Sequence, residues 1–327
     1  MTPTQLRAFS AVVRLGSVKQ AAAQLEVSES AVSLHIGQLR KELGDRLFSR
    51  TGAGLAFTPG GLRLASRAAE LLGLQDRTVL EVSAAGRGRR LLRVAASSLF
   101  AEHAAPGLIE LFAKRAADLD VELSVCNPAK FESLLLTRAV DIAIGPPAAP
   151  APPLSPAAPP EPVLASRPVM NYRIMLVVGP THPLAGVTAG PNRLREQLWL
   201  LGPSATTGAG AVPAVLRRLG VPEDRQQIFQ SHAAALEEAK RGKGVAAGLS
   251  FTVAQDVAHG HLVHVTGPCV TFDAVWHSLM LAEQSTPSAA AELSRFASTP
   301  RAIQAMMRGA GVHVGHFRPS VHVTLWS

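Results

Sequence analysis

Residues 17–43 read SVKQAAAQLEVSESAVSLHIGQLRKEL, and the rest of the chain is organised around them. The pattern predicts two short helices joined by a tight turn. Ser17, with Gln20 three places on, makes a capping box for the first helix. Its apolar side runs Val18, Ala21, Ala22 and Leu25, and Val27 is expected to plug the turn. Ser28 caps the second helix, on which Val32, Ile36, Leu39 and Leu43 recur at three- and four-residue steps and share one face. The opposite face carries Ser30, Ser33, Leu34, Gly37, Arg40 and Lys41, small and polar at its start and basic toward its end. A helix that enters the major groove needs this arrangement. Short side chains let its backbone approach base edges, and basic groups meet the flanking phosphates. An ordinary helical hairpin in a core is the plainer alternative.

Upstream, Thr2-Pro3-Thr4-Gln5 is a helix start, with Leu6, Phe9 and Val13 as its buried stripe and Gly16 as its end. Downstream, Gly44 stops the second helix and Leu47-Phe48 is an apolar anchor. Two short extended pieces follow around the glycine-rich tip at Gly52-Ala53-Gly54. They make a β-wing with Arg50 at its edge, placed to reach a minor groove or a phosphate. Thr58-Pro59 caps a long helix running to about residue 84. Its seam of Leu62, Ala65, Ala69, Leu72 and Val79 suits helix-on-helix pairing, although Asp76 interrupts it. We read it as a dimerisation linker rather than plain packing, followed by a basic hinge at residues 86–90.

Charge agrees with this placement. The net charge is +8, and residues 1–90 hold 13 Lys/Arg against 7 Asp/Glu, a net of +6, the electrostatic footprint of a nucleic-acid-binding end on a near-neutral body. A chain of 327 residues has room for two or three cores. Cys126 and Cys269 match no CxxC pattern, so neither a disulfide scaffold nor a zinc finger is expected, and a reducing cytoplasm is the natural setting. No signal peptide and no run of membrane-spanning length is read.

These residues resemble the LysR-type transcriptional regulators. The likeness starts at Leu6-Arg7-Ala8-Phe9 and runs through Gly16-Ser17, Ala21-Ala22, Ser28-x-Ser30-Ala31-Val32-Ser33, Ile36, Leu39 and Leu43-Gly44. It continues through Leu47-Phe48-x-Arg50 and closes at Phe57-Thr58-Pro59-x-Gly61. Leu34-His35 departs from the polar or basic pair usual there, and Arg40 stands where the family usually has Glu. The resemblance implies a winged helix-turn-helix followed by a two-lobed effector domain similar to periplasmic binding proteins.

The remainder reads as α/β without that help. Strands are predicted at 91–95, 121–125, 141–144, 173–178, 199–201, 228–229, 245–248 and 275–281, and helices at 101–117, 130–137, 211–219, 233–240, 288–297 and 301–307. Their alternation means a mostly parallel sheet. Nine of the seventeen residues 146–162 are Pro, so that segment is a surface spacer. A final run at 321–326 adds an edge strand or contacts another subunit. The expected domains are 1–58, the linker 59–90, a first lobe of 91–165 with 267–327, and a second lobe of 166–266.

Open sheets bind ligands at strand carboxyl ends, so the effector contacts are expected from Ser97, Ser98, Asn127 and Pro128 on one side of a cleft, and from Ser204, Thr206, Thr207 and Leu249 on the other. Hydroxyls and free amides there suit a carboxylate or phosphate. Helix capping is the equal alternative for each Ser and Thr. Several other patterns are discounted. Gly208-Ala209-Gly210 leads to Pro213 where a dinucleotide fingerprint has its third Gly, and Gly242-Lys243-Gly244 lacks the P-loop spacing. His259, His261 and His264 read better as exposed histidines than as metal ligands. No cofactor and no catalytic constellation is indicated.

The resulting expectation is a DNA-binding regulator, dimeric or tetrameric, controlled by a small effector. Ser30, Ser33, Leu34 and Gly37 face the bases of double-stranded DNA, while Ser28, Arg40, Lys41 and Arg50 hold its backbone. A ligand-binding or metabolic α/β protein with an N-terminal oligomerisation arm is the alternative.

Overall fold

The computed structural model describes residues 1–51, 54–116, 118–147, 164–282, 288–308 and 321–325. It divides into two compact units, Met1–Gly86 with Leu136–Ala139 and Arg87–Leu135 with Val140–Ser327.

In the first unit, Thr2 and Gln5 close a capping box on α1 (Pro3–Leu15), which ends at a left-handed Gly16. Ser17 caps α2 (Val18–Gln24), and the Ser28 hydroxyl accepts from the Ala31 amide to cap α3 (Glu29–Leu43). Phe9, Val12, Ala21, Val32, Ile36 and Leu39 meet in one core with Leu47 and Phe48. Three expectations shift. Val12 takes the core position expected of Val13, which is half-buried. Val27 and Leu43 are 46% and 44% exposed, because the turn and the last turn of α3 run past the edge of this small core.

The wing is β1 (Phe48–Thr51) paired with β2 (Gly54–Phe57), with Phe48 opposite Phe57 and Arg50 opposite Leu55. Its base is tied to the start of α4 (Pro59–Ala85). Leu47 is left-handed at φ 62°, and its carbonyl accepts from the Thr58 amide at 3.0 Å. Asp45 Oδ1 accepts from the Thr58 hydroxyl at 2.7 Å and the Leu47 amide at 2.5 Å, and these bonds hold its carboxyl below the ordinary carboxylate range.

The second unit is built on one mixed sheet. Its first half contains β3 (Arg90–Ala96), β4 (Leu119–Val125) and β5 (Ile142–Gly145), all parallel. Its second half contains β7 (Trp199–Leu201), β8 (Gln226–Ile228) and β9 (Val245–Leu249), also parallel. Between the halves runs a long antiparallel ribbon of β6 (Leu164–Val178) and β11 (Thr271–Leu281), with the short β10 (Val263–His264) beside β6. β11 hands over to β5 at one end of the ribbon, and β6 hands over to β9 at the other. The ribbon's register shifts between Trp276, opposite Met170, and His277, opposite Pro168, leaving Val169 as the extra residue of a bulge. β12 (Val321–Leu325) joins β4 in parallel as an edge strand.

Around the sheet lie α5 (Ser98–His103), α6 (Ala105–Ala113), α7 (Phe131–Leu136), α8 (Pro191–Arg195), α9 (Ala211–Leu219), α10 (His232–Lys240), α11 (Ser250–Ala258), α12 (Ser288–Ala297) and α13 (Pro300–Arg308). The single helix expected at 101–117 is two helices broken at Ala104. Pro106 sits in the first turn of the second and cannot continue the ladder of the first. The expected basic hinge at 86–90 spans the division between the two units, and its last two residues are held by ion pairs. Arg90 already belongs to β3 and donates to both oxygens of Asp118 at 2.6 and 3.2 Å, and Arg89 pairs with Asp120 at 2.7 Å. The Pro-rich spacer from residue 148 to 162, the wing tip at Gly52-Ala53 and the chain from 309 to 320 lie outside the described residues. Among the described residues no helix is long and apolar enough to cross a membrane.

Candidate nucleic-acid interface and ligand cleft

α3 turns Val32, Ile36 and Leu39 into the core, so helical geometry leaves Ser30, Ser33, Leu34, Gly37 and Lys41 on its solvent face. Leu34 is 60% exposed, and a Cβ on Gly37 would meet nothing within 4 Å. Ser28 and Ser30 share a 2.8 Å hydroxyl contact at the start of the helix, above the N–H end of its dipole. Arg40 is half-buried between α3 and the wing. Its guanidinium donates to the Phe48 carbonyl at 2.8 Å and lies 4.7 Å over the Phe48 ring, so it ties α3 to the wing. The Arg50 side chain lies outside the description; its backbone sits on β1.

α4 carries apolar side chains that nothing among the described residues covers. Leu62, Leu71, Leu74, Val79, Leu80 and Val82 are each at least 42% exposed. Of the expected seam, Leu62 and Val79 belong to this set, while Ala65, Ala69 and Leu72 are half-buried. Asp76 is drawn off by an ion pair to Arg7 at 3.2 Å.

In the second unit a cavity opens between the sheet halves. Of the eight expected effector contacts, Ser97, Ser98, Pro128, Ser204 and Thr207 line it, alongside Tyr172 and Trp276 of the ribbon, Pro146 and the stretch from Ala209 to Pro213. It leaves about 20 Å³ for the centre of a water molecule, room for one. The other three contacts stand apart. Asn127 caps the Ala129 amide at 3.0 Å, Thr206 donates to Pro203 and is exposed, and Leu249 is 1% exposed within the core. Thr207, though it lines the cavity, gives its hydroxyl proton to the carbonyls of Ser204 and Ala209.

Among the described residues, two buried groups lining this cavity have no hydrogen-bond partner: Ser97 Oγ, which leaves α5 without a side-chain cap, and Trp276 Nε1. Trp276 stacks on Tyr172 at 4.3 Å and meets Phe100 edge-on at 5.1 Å. Burial pushes the Tyr172 phenol up to about 12, so it stays protonated.

A polar chain runs from the cavity wall into the protein. Ser204 Oγ lies 2.9 Å from His232 Nε2, and His232 Nδ1 lies 2.7 Å from Glu102 Oε2. Glu102 also accepts from the amides of His232 at 2.9 Å and Ala233 at 2.7 Å, clasping the first turn of α10 to α5. Burial alone would raise the Glu102 carboxyl. The His232 ring bond, the nearby His232 and His103 rings and the His232 amide outweigh it and hold the group at about 2. His103, buried beside His232 with ring centroids 5.7 Å apart, is pushed down by burial to about 4. Glu102, His103 and His232 are close enough together to hold a metal ion. Both His232 nitrogens and both Glu102 oxygens are already taken by protein partners, however, which leaves a hydrogen-bonded relay rather than an open ligand set.

Sequence reasoning missed Tyr172, Trp276, Glu102 and His232, which lie on four elements far apart in the chain. The Gly208–Gly210 pair before a helix without a side-chain cap was the one local signal available.

Comparison with known proteins follows the same division. The family model "Bacterial regulatory helix-turn-helix protein, lysR family" matches residues 3–62, and "LysR substrate binding domain" matches residues 85–299. An uncharacterized HTH-type transcriptional regulator of Mycobacterium tuberculosis is 56% identical over all of both chains. The RuBisCO operon transcriptional regulator of Allochromatium vinosum is 31% identical over 60% of this chain and 62% of its own. Among solved structures, ArgP from Mycobacterium tuberculosis is similar in fold, with a TM-score of 0.55, 18% identity, and cover of 94% of this chain and 96% of that one. CbnR complexed with its target DNA is similar with a TM-score of 0.53, 20% identity, and cover of 91% and 100%.

Proposed function

The chain belongs to the LysR family of bacterial transcriptional regulators, and on that basis we propose how its residues divide the work. It binds DNA through its helix-turn-helix, takes a small-molecule effector in its substrate-binding domain and works as an oligomer. In our reading Ser30, Ser33, Leu34 and Gly37 meet base edges, while Ser28, Arg40, Lys41 and Arg50 hold the phosphate backbone. The observation that carries this is the solvent face of α3, small and polar with a glycine in open space, on a helix whose Val32, Ile36 and Leu39 are committed to the core. Two such heads, joined through the uncovered apolar side of α4, would meet half-sites about one helical turn or a multiple apart. A regulator of this kind works in the cytoplasm, beside the chromosome.

The effector occupies the cavity lined by Ser97, Ser98, Pro128, Ser204 and Thr207. Anything larger than a water enters only as the walls part, so it shifts the population of open and closed forms by its unequal affinity for them. The test is a gel shift with the protein's own upstream intergenic DNA and excess competitor at two salt concentrations. A discrete, competitor-resistant complex is expected, and binding that vanishes with competitor would overturn the reading.

Two substitutions probe the face. Gly37→Ala fills open space on an exposed helix, so it stabilises the first unit by about 0.5–1 kcal/mol while weakening operator binding. A melt and a titration read the opposite signs. Arg50→Ala lowers affinity for all sequences and reduces the slope of log affinity against log salt by about 1. An unchanged slope would remove Arg50 from the phosphate contacts.

A further inference from the structure

Leu34 takes no part in the fold. It is 60% exposed, and outside α4 no large apolar side chain among the described residues is more so. An exposed leucine is ordinary in itself, but the place of this one is not. It follows Ser30 by four residues and precedes Gly37 by three, so it stands in the middle of the solvent stripe of α3. The surface around it is low. Ser30 and Ser33 end at a hydroxyl, and a Cβ on Gly37 would meet nothing within 4 Å. Gln38, the next long side chain, accepts from the Gln5 amide group at 2.9 Å and is drawn toward α1. Leu34 is therefore the tip of this face.

The chemistry of the stripe divides unevenly. A serine hydroxyl both donates and accepts, so Ser30 and Ser33 suit almost any base edge and discriminate weakly. Gly37 offers no side chain. Leu34 has neither donor nor acceptor. Against the amino group of adenine or cytosine, or the acceptors of guanine, it would strip water from a polar edge and return no bond. The C5-methyl group of thymine is the one apolar feature that the major groove presents. Leu34 thus favours one base by attraction and disfavours the others by desolvation.

We propose that Leu34 is the specificity-determining side chain of α3 and that it packs on the 5-methyl group of a thymine in each half-site. This rests on the reading of α3 as the helix that enters the major groove.

The test is a gel-shift titration of the full-length protein against its upstream intergenic fragment, amplified with either dTTP or dUTP, so that the two DNAs differ only in the methyl groups. The protein should bind the uracil DNA about fourfold more weakly for one lost methyl contact, and about fifteenfold more weakly where two heads each lose one. Leu34→Ala should weaken binding to thymine DNA by a similar factor and to uracil DNA hardly at all, so that it no longer distinguishes the two. Leu34→Met, which keeps an apolar tip of similar volume, should keep the preference. Thermal melts of both variants should match the parent, because the side chain is exposed. Equal affinity of the parent protein for the two DNAs overturns the proposal. So does a preference that persists in Leu34→Ala, which would trace the methyl effect to DNA shape or to another residue. Failure to bind the thymine fragment at all would overturn the regulator reading itself, so the two failures are distinguishable.

Discussion

Replacing Gly61 by Ala should unfold the winged-helix unit at physiological temperature. A Cβ at Gly61 would stand 1.9 Å from the Leu47 carbonyl oxygen, and the neighbouring Gly60 Cβ would stand 2.1 Å from Asp45 Oδ2. Neither neighbour has room to yield. Leu47 is pinned in its left-handed conformation by the bonds from its amide to Asp45 and from the Thr58 amide to its carbonyl, and both would be pushed apart together. Overpacking against backbone costs up to about 3 kcal/mol and a lost hydrogen bond about 1 more. Together these are a large share of what a small unit has to lose. A thermal melt should show the N-terminal transition shifted far down with the α/β unit unmoved, and operator binding should disappear. A melt unchanged within a degree or two would mean that α4 does not start against the wing. Gly37→Ala is the matched control, the same substitution with the opposite sign.

Replacing Glu102 by Ala should be the most damaging single change in the α/β unit outside its apolar core. It leaves the His232 and Ala233 amides and His232 Nδ1 without their acceptor at the first turn of α10, a loss of about 3 kcal/mol. The same cluster sets the acid limb of stability. The Glu102 carboxyl falls from 4.5 to about 2 on folding, so its contribution is complete above about pH 4.5 and is lost as pH falls toward 2. The folded state also refuses a proton at His103, whose value drops from 6.5 to about 4, so stability declines further up as well, as pH falls from 6.5 toward 4. Each is worth on the order of 3 kcal/mol. Denaturant titrations from pH 7 to 3 should show the loss beginning near pH 6.5, and His103→Leu should remove that upper portion. A stability flat between pH 6.5 and 4.5 would count against a buried neutral His103.

Where local chemistry decides structure, the sequence was enough. Caps at Thr2, Ser17, Ser28 and Thr58, left-handed glycines at Gly16 and Gly44, and the three-and-four spacing of Val32, Ile36 and Leu39 place the N-terminal helices within a residue or two. Each of these is a bond or a face completed within one turn of helix. The alternation of strands and helices gave the α/β class for the same reason. The two antiparallel crossing strands were only half legible, because their pairing joins residues about a hundred positions apart. Tertiary structure alone decided three further matters. The wing brings Phe48 beneath the Arg40 guanidinium, a tie between helix and wing that a helical wheel does not show. Leu249 ends a strand as a cleft residue would, yet neighbouring packing takes it into the core. The cleft's unpaired donors and the Glu102–His232–Ser204 chain exist because β3, the ribbon and the start of α10 converge. No spacing along the chain encodes that convergence, since each of those residues is ordinary in its own neighbourhood and acquires its chemistry from partners that the fold supplies.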